Sequence, residues 1–474
     1  MNEFLQKLKE NKFIGLLKSL LSNKFFPLIF IPISLLCYYL GLDMVMIYVI
    51  GIFGTLIFLL LDDISPIISV FLFMTIFVSG ENTTSVWAGS TADFYFQTAN
   101  LVQIFILIAI FASSAIYRVV KNIIKKQFSL SPIFWSLCAF AVVLLFNGIF
   151  SKGYNPKNLL YGLIMALCFL GIFSAVKDNI IISQDGFIKI AYGFLAFSIV
   201  LAIELVVKYC TAENIIVDGI IKRELLTFGW GTWNTIGMFL VLCVPFIVYL
   251  AGKEKFGYLF AVVSVLIFIA SIMSCSRQSI IGAFIAYPAS LLMLFVKGKN
   301  RLKNAAIIVT AVVIFIIILF VNDKLIKYFK ELFEKIVVNG ELSGNGRKRI
   351  WEEALVHFKS APIFGAGFYV ELSAAHFSGL SFIPIMAHNT FMQLLSSCGI
   401  VGLIVYLAHR VLTFISYFRN ITVERTYLMF AIVVFLIICL FDNHIFNIFP
   451  TIIYSNLIAI LVGSEQKKHT LLKN

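Results

Sequence analysis

The sequence predicts an all-α polytopic membrane protein. Three observations carry this prediction: the apolar composition, the spacing of the apolar runs and the placement of the basic residues. Of the 474 residues, 61% are hydrophobic and 13% are charged, and the mean hydropathy is +0.98. Soluble domains have about 45–50% apolar and about 25% charged residues. One soluble core could not bury this much apolar surface, whereas a lipid bilayer solvates it.

Fourteen apolar runs have the length and composition expected of membrane-spanning helices. A span needs about 20 mostly apolar residues. The runs lie near 25–42, 44–61, 64–80, 100–117, 130–150, 158–176, 188–207, 230–251, 257–275, 278–296, 304–321, 389–408, 426–445 and 447–463. Neighbouring runs meet closely around Gly41, Asp62 and Asn447, so the sequence predicts about 12–14 transmembrane helices. We expect residues 1–474 to form a single integral membrane domain.

The basic residues predict the orientation of the chain. When the N-terminus is placed inside and the spans alternate, most of the 37 Lys and Arg residues fall in inner segments. Membrane proteins concentrate basic residues in their cytoplasmic loops. We therefore expect both termini to be cytoplasmic. The net charge of +13 fits this placement, and no basic stretch with interleaved aromatic residues predicts nucleic-acid binding.

The same alternation places the longest connection, 322–388, outside. Connections of this length are uncommon unless they are functional or disordered. Helical periodicity predicts an amphipathic surface helix near Leu325–Val337 and a second helix around Ile350–Phe358, which Pro362 ends. We therefore predict that 322–388 is an ordered extracytoplasmic loop that carries the chemistry.

Polar groups in and beside this loop are the candidate site residues. Arg277 separates two apolar runs, Arg347 and Arg349 follow a Gly-rich stretch, and His388 lies where the loop returns to the membrane. Arginine forks bind phosphate oxygens, and histidine moves protons near neutral pH. Purely structural roles remain open, because boundary arginines often reach lipid headgroups and a histidine at a helix start is often a cap.

Other polar groups rank lower. Glu204 lies within a predicted span, where a carboxylate is costly and often functional. The sequence Asp442-Asn443-His444 interrupts the apolar pattern near an outer boundary and is interpreted as a turn. Lys222-Arg223 is a candidate for added positive charge at the same outer site. No spacing typical of a zinc site or a metal-binding carboxylate pair is evident, so we expect neither a metal nor a cofactor.

The candidate residues and their order resemble the O-antigen ligase and polymerase superfamily of bacterial envelope glycosyltransferases. The matching elements, which together cover roughly 230–410, are Ser276-Arg277, Gly346-Arg347 with Trp351, Pro362-Ile363-Phe364-Gly365-Ala366-Gly367, His388-Asn389 and Gly399-Ile400-Val401-Gly402-Leu403. The resemblance implies a GT-C-like, metal-independent enzyme of the bacterial cytoplasmic (inner) membrane. Arg277 and Arg347, with Arg349 ranked below them, would bind the donor diphosphate. His388 would activate the acceptor hydroxyl.

The resemblance implies an undecaprenyl-diphosphate-linked glycan donor, a glycan or lipid-linked acceptor, membrane lipids and other envelope polysaccharide assembly proteins as partners. The Ile-, Phe-, Lys- and Asn-rich composition is typical of proteins encoded by an AT-rich genome. This favours polymerisation of surface polysaccharide repeat units, such as those of a capsule or teichoic-type glycan, over ligation to lipid A–core. A transporter or flippase remains an alternative, with Glu204 as its best feature and a site expected near the midplane. A peptidoglycan polymerase is disfavoured, because such enzymes use an outer-loop aspartate and 324–388 has none.

Overall fold

The computed structural model describes residues 12–76, 98–152, 154–180, 183–213, 215–217, 220–298, 300–321, 345–369 and 387–471. The predicted surface helix near Leu325–Val337 lies outside these ranges. Within them the chain is almost entirely helical. The described strands form two short antiparallel pairs, β1 (Ile216–Val217) with β2 (Ile220–Ile221) and β3 (Thr227–Phe228) with β4 (Gly231–Thr232).

The first part of the chain contributes the helices that precede the strand pairs. These helices are α1 (Lys12–Ser22), α2 (Phe30–Tyr39), α3 (Asp43–Leu60), α4 (Ile67–Phe73), α5 (Thr98–Ile124), α6 (Pro132–Leu145), α7 (Lys157–Ala166), α8 (Ile172–Val176) and α9 (Gln184–Thr211). Turns of 3₁₀ helix, Phe26–Ile29 and Met74–Ile76, adjoin α2 and α4. A π-helical turn, Leu167–Gly171, joins α7 to α8, so the two form one continuous span.

The second part of the chain contributes the helices that carry the candidate site residues. A 3₁₀ turn, Arg223–Leu225, lies between the two strand pairs, and another, His444–Phe446, precedes the last helix. The helices are α10 (Trp233–Lys253), α11 (Gly257–Met273), α12 (Arg277–Lys297), α13 (Arg301–Val321), α14 (Asn345–Ser360), α15 (Thr390–Arg419), α16 (Val423–Ile438) and α17 (Ile448–Leu471).

A helix lies at each of the fourteen positions where the sequence predicts a span. Among the described residues, seven helices are by themselves long and apolar enough to cross a membrane. The bent pair Lys12–Ser22 with Phe26–Tyr39 adds an eighth if it counts as one span. Shorter apolar helices at Ile67–Ile76, Pro132–Leu145, Gly257–Met273 and Ile448–Gly463 fill further predicted positions. The chain is an all-α polytopic membrane protein, as its composition predicts.

Helix α10 is the centre of the bundle. In its most apolar window 89% of the residues are buried, against 6% in α5. Helices α9, α11, α12 and α16 pack around it. Its sequence is apolar on all sides, which is typical of a helix enclosed by other helices rather than one with a single buried stripe. Of its neighbours, α12 begins and α16 ends at the candidate site, so α10 fixes their relative position.

Polar and charged side chains meet at one end of the bundle. Arg118 of α5 donates to the Asn179 side chain at 3.0 Å and to the Asp62 carbonyl at 3.0 Å. Lys177 and Asp178 form an ion pair at 2.6 Å, and both side chains are fully buried. Alternation of the predicted spans assigns these three segments to the same side of the membrane. Their contact in the structure agrees with that assignment.

A crossing of two backbones holds α14 against α15. The Ala366 amide donates to the Ser396 carbonyl at 2.8 Å and the Gly367 amide to the Ser397 carbonyl at 3.0 Å. Gly399 has a φ of +66° and divides α15 into two helical parts. A β-carbon on Gly399 would overlap the carbonyl of the neighbouring segment, so only glycine fits. The Gly-rich motif of the sequence therefore lets the two backbone segments contact each other directly, without side chains between them.

Candidate active site

Asp442 lies at the centre of the candidate site. It follows α16, and its carboxylate is buried. Oxygen Oδ1 accepts hydrogen bonds from the His388 Nδ1 at 3.0 Å and from the Asn443 backbone amide at 2.8 Å. Oxygen Oδ2 is within 3.3 Å of Asn234 Nδ2 and 3.5 Å of Gln278 Nε2, both of which donate. One carboxylate thus connects α10, α12 and the end of α16 to His388.

The starts of three long helices converge on this carboxylate. Asn234 is the second residue of α10, Gln278 is the second residue of α12, and His388 lies just before α15. Unsatisfied amide groups and the helix dipole make the beginning of a helix favourable for negative charge. Because α10, α12 and α15 begin at the same end of the bundle, that end is suited to anions.

Arginines from three segments surround the same point. Arg347 is the third residue of α14, Arg277 is the first residue of α12, and Arg223 lies in the loop between the strand pairs. Burial lowers the pKa of the Arg347 guanidinium from its ordinary value. Nearby Asp442 acts to raise that pKa, while Arg277 and Arg223 act to lower it further. The structure therefore brings Arg277, Arg347 and His388 together, as the topology predicts.

Arg223 was only a secondary candidate in the sequence. Its guanidinium lies over the Trp233 ring, 5.6 Å from the centroid, and its charge acts on Arg347. A cation over an indole face is held by the ring quadrupole, so this contact orients Arg223 at the start of α10. Its neighbour Lys222 is exposed. Of the Lys222-Arg223 pair, Arg223 is the residue that the structure joins to the site.

Arg349 occupies a different surface. Its side chain is 68% exposed and forms an ion pair with Glu353 at 3.4 Å, one turn along α14. Residues two positions apart on a helix point to nearly opposite faces. Since Arg347 faces Asp442, Arg349 faces away from it. The structure does not bring Arg349 to the cluster that contains Arg277 and Arg347.

The backbone around His388 is fixed on both sides. His388 has a φ of +49°, a left-handed conformation that is uncommon for residues other than glycine. The preceding residue, Ala387, accepts from the Trp351 indole at 2.9 Å and donates to Gln393 Oε1 at 2.8 Å. The following residue, Asn389, caps α15 through its side chain. These contacts hold a strained residue in place, which is typical of functional sites.

Asp442 is the functional candidate that the sequence pattern ranks too low. The turn interpretation of Asp442-Asn443-His444 describes the backbone but not the role of the carboxylate. Burial acts to raise the pKa of Asp442, but His444, the hydrogen bond from His388 and the Asn443 amide outweigh it and hold that pKa well below its usual range. Three consecutive polar residues at the edge of an apolar run were the available signal, because buried ionisable groups at membrane depth are costly.

The hydrogen bonds define what His388 can do. With Nδ1 donating to the Asp442 carboxylate, the neutral imidazole keeps Nε2 as its proton acceptor. The side chain is 35% exposed, so a ligand can reach it. Within the described residues no group of three or more His, Cys, Asp or Glu side chains is arranged to hold a metal ion. The arginines of such a site can bind an anion, and the oriented histidine beside them can deprotonate a hydroxyl.

Glu204 does not belong to this site. It is buried in α9 and accepts a hydrogen bond from the Trp230 indole at 3.0 Å. The contact joins α9 to the segment that precedes α10. This pairing gives one carboxylate oxygen of Glu204 a structural partner, while Oε1 is buried without a hydrogen bond to the described residues.

The fold and the site define a polytopic membrane protein with clustered arginines and an oriented histidine at one end of its helices. Residues 262–407 match the family model described as O-Antigen ligase. Over this segment the match confirms the resemblance to the O-antigen ligase and polymerase superfamily found in the sequence. It includes Arg277, Arg347 and His388 but ends before Asp442. No curated protein matches the chain significantly.

Proposed function

We propose that this protein is a metal-independent glycosyltransferase that moves a glycan from an undecaprenyl-diphosphate-linked donor to an acceptor hydroxyl. The observation that carries the proposal is the meeting of Arg223, Arg277 and Arg347 with the His388–Asp442 pair. The family match supports an enzyme of this general class. We further propose that the site faces the extracytoplasmic side of the bacterial cytoplasmic membrane, where carrier-linked glycans are assembled into surface polymers.

The three arginines suit the donor diphosphate. Their guanidinium groups lie close enough for Arg277 and Arg223 to disfavour the charge on Arg347. An anion bound among them relieves this repulsion and accepts bidentate hydrogen bonds. During transfer the bond from the sugar to the diphosphate breaks, and negative charge collects on the leaving group. Fixed cations aimed at that charge stabilise the transition state without a divalent metal.

His388 suits the acceptor side of the reaction. Its Nε2 takes the proton of the attacking hydroxyl as the new glycosidic bond forms, and the departing diphosphate carries away the electron pair. Asp442 accepts from Nδ1 at 3.0 Å, which fixes the tautomer and stabilises the imidazolium that results. Because the Asp442 pKa lies well below its usual range, this carboxylate is ionised at neutral pH.

An apolar cavity near the crossing of α14 and α15 offers a place for the carrier lipid. It has a volume of about 300 Å³, and the described residues that line it are all apolar, among them Val142, Phe146, Phe150 and Phe364. Phe146, Phe150 and Phe364 are also exposed on the outside of the bundle. A cavity open toward the lipid lets an isoprenoid chain stay in the bilayer while its diphosphate meets the arginines.

We propose repeat-unit polymerisation as the specific activity, with ligation to lipid A–core as the second candidate. The composition of the chain favours the first, and the description of the matched family, O-Antigen ligase, favours the second. The chemistry at the arginines and His388 is the same for both. The two differ only in the acceptor, so analysis of products separates them.

The test uses the purified protein in liposomes with a synthetic lipid-diphosphate-linked glycan. We expect a new glycosidic bond, release of lipid diphosphate and no loss of rate when EDTA is added. Movement of labelled carrier across the bilayer without a new bond would instead support a flippase. In a deletion strain, glycans of single-repeat length indicate a lost polymerase, and long chains retained on the carrier indicate a lost ligase.

A further inference from the structure

A small pocket lies between α14 and the first part of α15, beside the candidate site, and its polar side chains stand among apolar ones such as Ile350, Ala354 and Phe368. Its volume is about 30 Å³. Glu353 and His357 of α14 form one wall, and Gln393 and Ser396 of α15 form the other. The diphosphate-binding and base roles proposed above use none of these four side chains.

The pocket lies on the same helix as Arg347 and next to the segment that carries His388. Glu353 lies six residues after Arg347 on α14, which is about 9 Å along the helix axis at 1.5 Å per residue. Ala387, the residue before His388, also lines the pocket. The pocket therefore adjoins the segment that carries His388.

The walls of the pocket are held by hydrogen bonds that do not depend on a ligand. The Trp351 indole donates to the Ala387 carbonyl at 2.9 Å, which ties α14 to the segment before α15. Gln393 accepts from the Ala387 amide at 2.8 Å and donates to Ser397 Oγ at 2.8 Å. Both helices are therefore anchored to the same short segment. This rigidity is what a positioning subsite requires.

The side chains in the pocket are suited to sugar hydroxyls. A carboxylate offers several acceptor sites, so Glu353 can accept from a ligand even while it pairs with Arg349. Burial lowers the pKa of His357 despite the opposing effect of Glu353, so the ring is neutral at pH 7 and can both donate and accept. A space of this size holds about two water-sized groups, which matches the hydroxyl edge of a sugar ring rather than a whole ring.

We propose that the pocket formed by Glu353, His357 and Ser396 binds the accepting sugar and presents its hydroxyl to His388. This inference rests on the proposed function and adds the acceptor's place and its chemical class. The accepting residue is a neutral or amino sugar, because the Glu353 carboxylate repels a uronic acid. Glu353 and His357 are positioning residues, since the proton is taken by His388.

The test measures the acceptor and the donor separately in the liposome assay. For Glu353→Gln we expect the KM for the acceptor to rise about 10-fold or more, as for the loss of one hydrogen bond to a charged group. The KM for the donor and the kcat at saturating acceptor stay unchanged. Glu352→Gln is the matched control, because Glu352 is exposed on the neighbouring position of α14 and carries the same charge. It should leave all three values unchanged.

A second variant and a second acceptor complete the test. His357→Gln should raise the acceptor KM in the same direction, and a uronic acid at the accepting end should be a poor acceptor for the wild type but a better one for Glu353→Gln. An acceptor KM for Glu353→Gln equal to that of Glu352→Gln would overturn this inference alone. A wild-type protein that forms no glycosidic bond would overturn the proposed function and this inference together.

Discussion

Histidine and arginine occur together in two regions of the molecule, and the two groupings have opposite characters. His388 precedes α15 and is 35% exposed, whereas His409 lies within α15 and is 1% exposed. His388 bonds to a carboxylate through Nδ1. His409 bonds to Ser136 through Nδ1 at 2.8 Å and to the Tyr454 hydroxyl through Nε2 at 2.9 Å. Both ring nitrogens of His409 are therefore engaged, and no ligand has access to them.

The arginines differ in the same way. Arg410 is buried and lies 4.2 Å from the centroid of the Tyr406 ring and 4.5 Å from that of Tyr454, to whose hydroxyl it donates. Arg277 and Arg347 are only partly buried and belong to the cluster around Asp442. The same residue types thus serve packing in one region and, in the proposed function, ligand binding in the other. Access and partners decide the role.

The largest contrast is expected for the two histidines. Asparagine tolerates a left-handed backbone, so His388→Asn should preserve the fold while it removes the base and lowers the rate of transfer about 10²–10⁴-fold. His409→Asn should instead lower the free energy of unfolding by about 1–3 kcal/mol, because Ser136 and Tyr454 lose a buried partner. Thermal unfolding and transfer rates per folded molecule measure both effects. Equal losses of rate in the two variants would contradict the comparison.

The second prediction concerns Arg347. Arg347→Ala should lower kcat/KM about 10²–10³-fold, the loss expected when one fixed charge is removed from a developing anion. Arg347→Lys should recover only part of this loss, since an ammonium group does not reproduce the bidentate fork. Binding of a lipid-diphosphate analogue, measured directly, should weaken in parallel. Unchanged analogue binding would exclude Arg347 from the diphosphate site.

The third prediction tests whether Asp442 acts through His388. Asp442→Asn should lower the rate about 10²-fold or more, as for other carboxylates that orient a catalytic histidine. The effect should largely disappear in the His388→Asn background, because Asp442 then has no imidazole to orient. An undiminished effect of Asp442→Asn in that background would indicate a purely structural role for Asp442.

The fourth prediction concerns the crossing that supports the site. Gly399→Ala should lower the free energy of unfolding by at least about 1–2 kcal/mol, because alanine disfavours a φ of +66° and its β-carbon would overlap the Ile363 carbonyl. Gly171→Ala is the matched control, since the nearest atom to its added carbon is 3.8 Å away in a helical segment. Thermal unfolding should distinguish the two. A tolerated Gly399→Ala would mean that the crossing has room to relax.

The smallest effect is expected for Arg349. Arg349→Ala removes an exposed ion pair with Glu353, worth less than about 1 kcal/mol, and should leave the rate of transfer unchanged. Its comparison with Arg347→Ala is sharp because the two residues lie on opposite faces of α14. A loss of rate similar to that of Arg347→Ala would return Arg349 to the diphosphate site, where the sequence resemblance places it.

Much of the candidate site follows from the sequence because its signals are local. Arg277 and His388 stand beside apolar runs, and alternation of the spans places them at one end of the bundle. Arg347 and Arg349 look alike in sequence, and only the turn of α14 separates them. Asp442 gave a weak signal, since a polar break at a helix end also describes an ordinary turn. Its contact with His388 joins residues 54 positions apart in the chain, which no local pattern shows.

The sequence by itself determined the membrane class, the positions of the helices and the end of the bundle at which the polar residues gather. These properties follow from the free energy of transferring apolar and charged side chains into a bilayer, which depends on composition along the chain. The tertiary structure alone decided that Asp442 orients His388, that Arg223 joins the arginines and that Arg349 does not. Those outcomes depend on which helix ends become neighbours when the other helices pack around α10. No local sequence pattern encodes that packing.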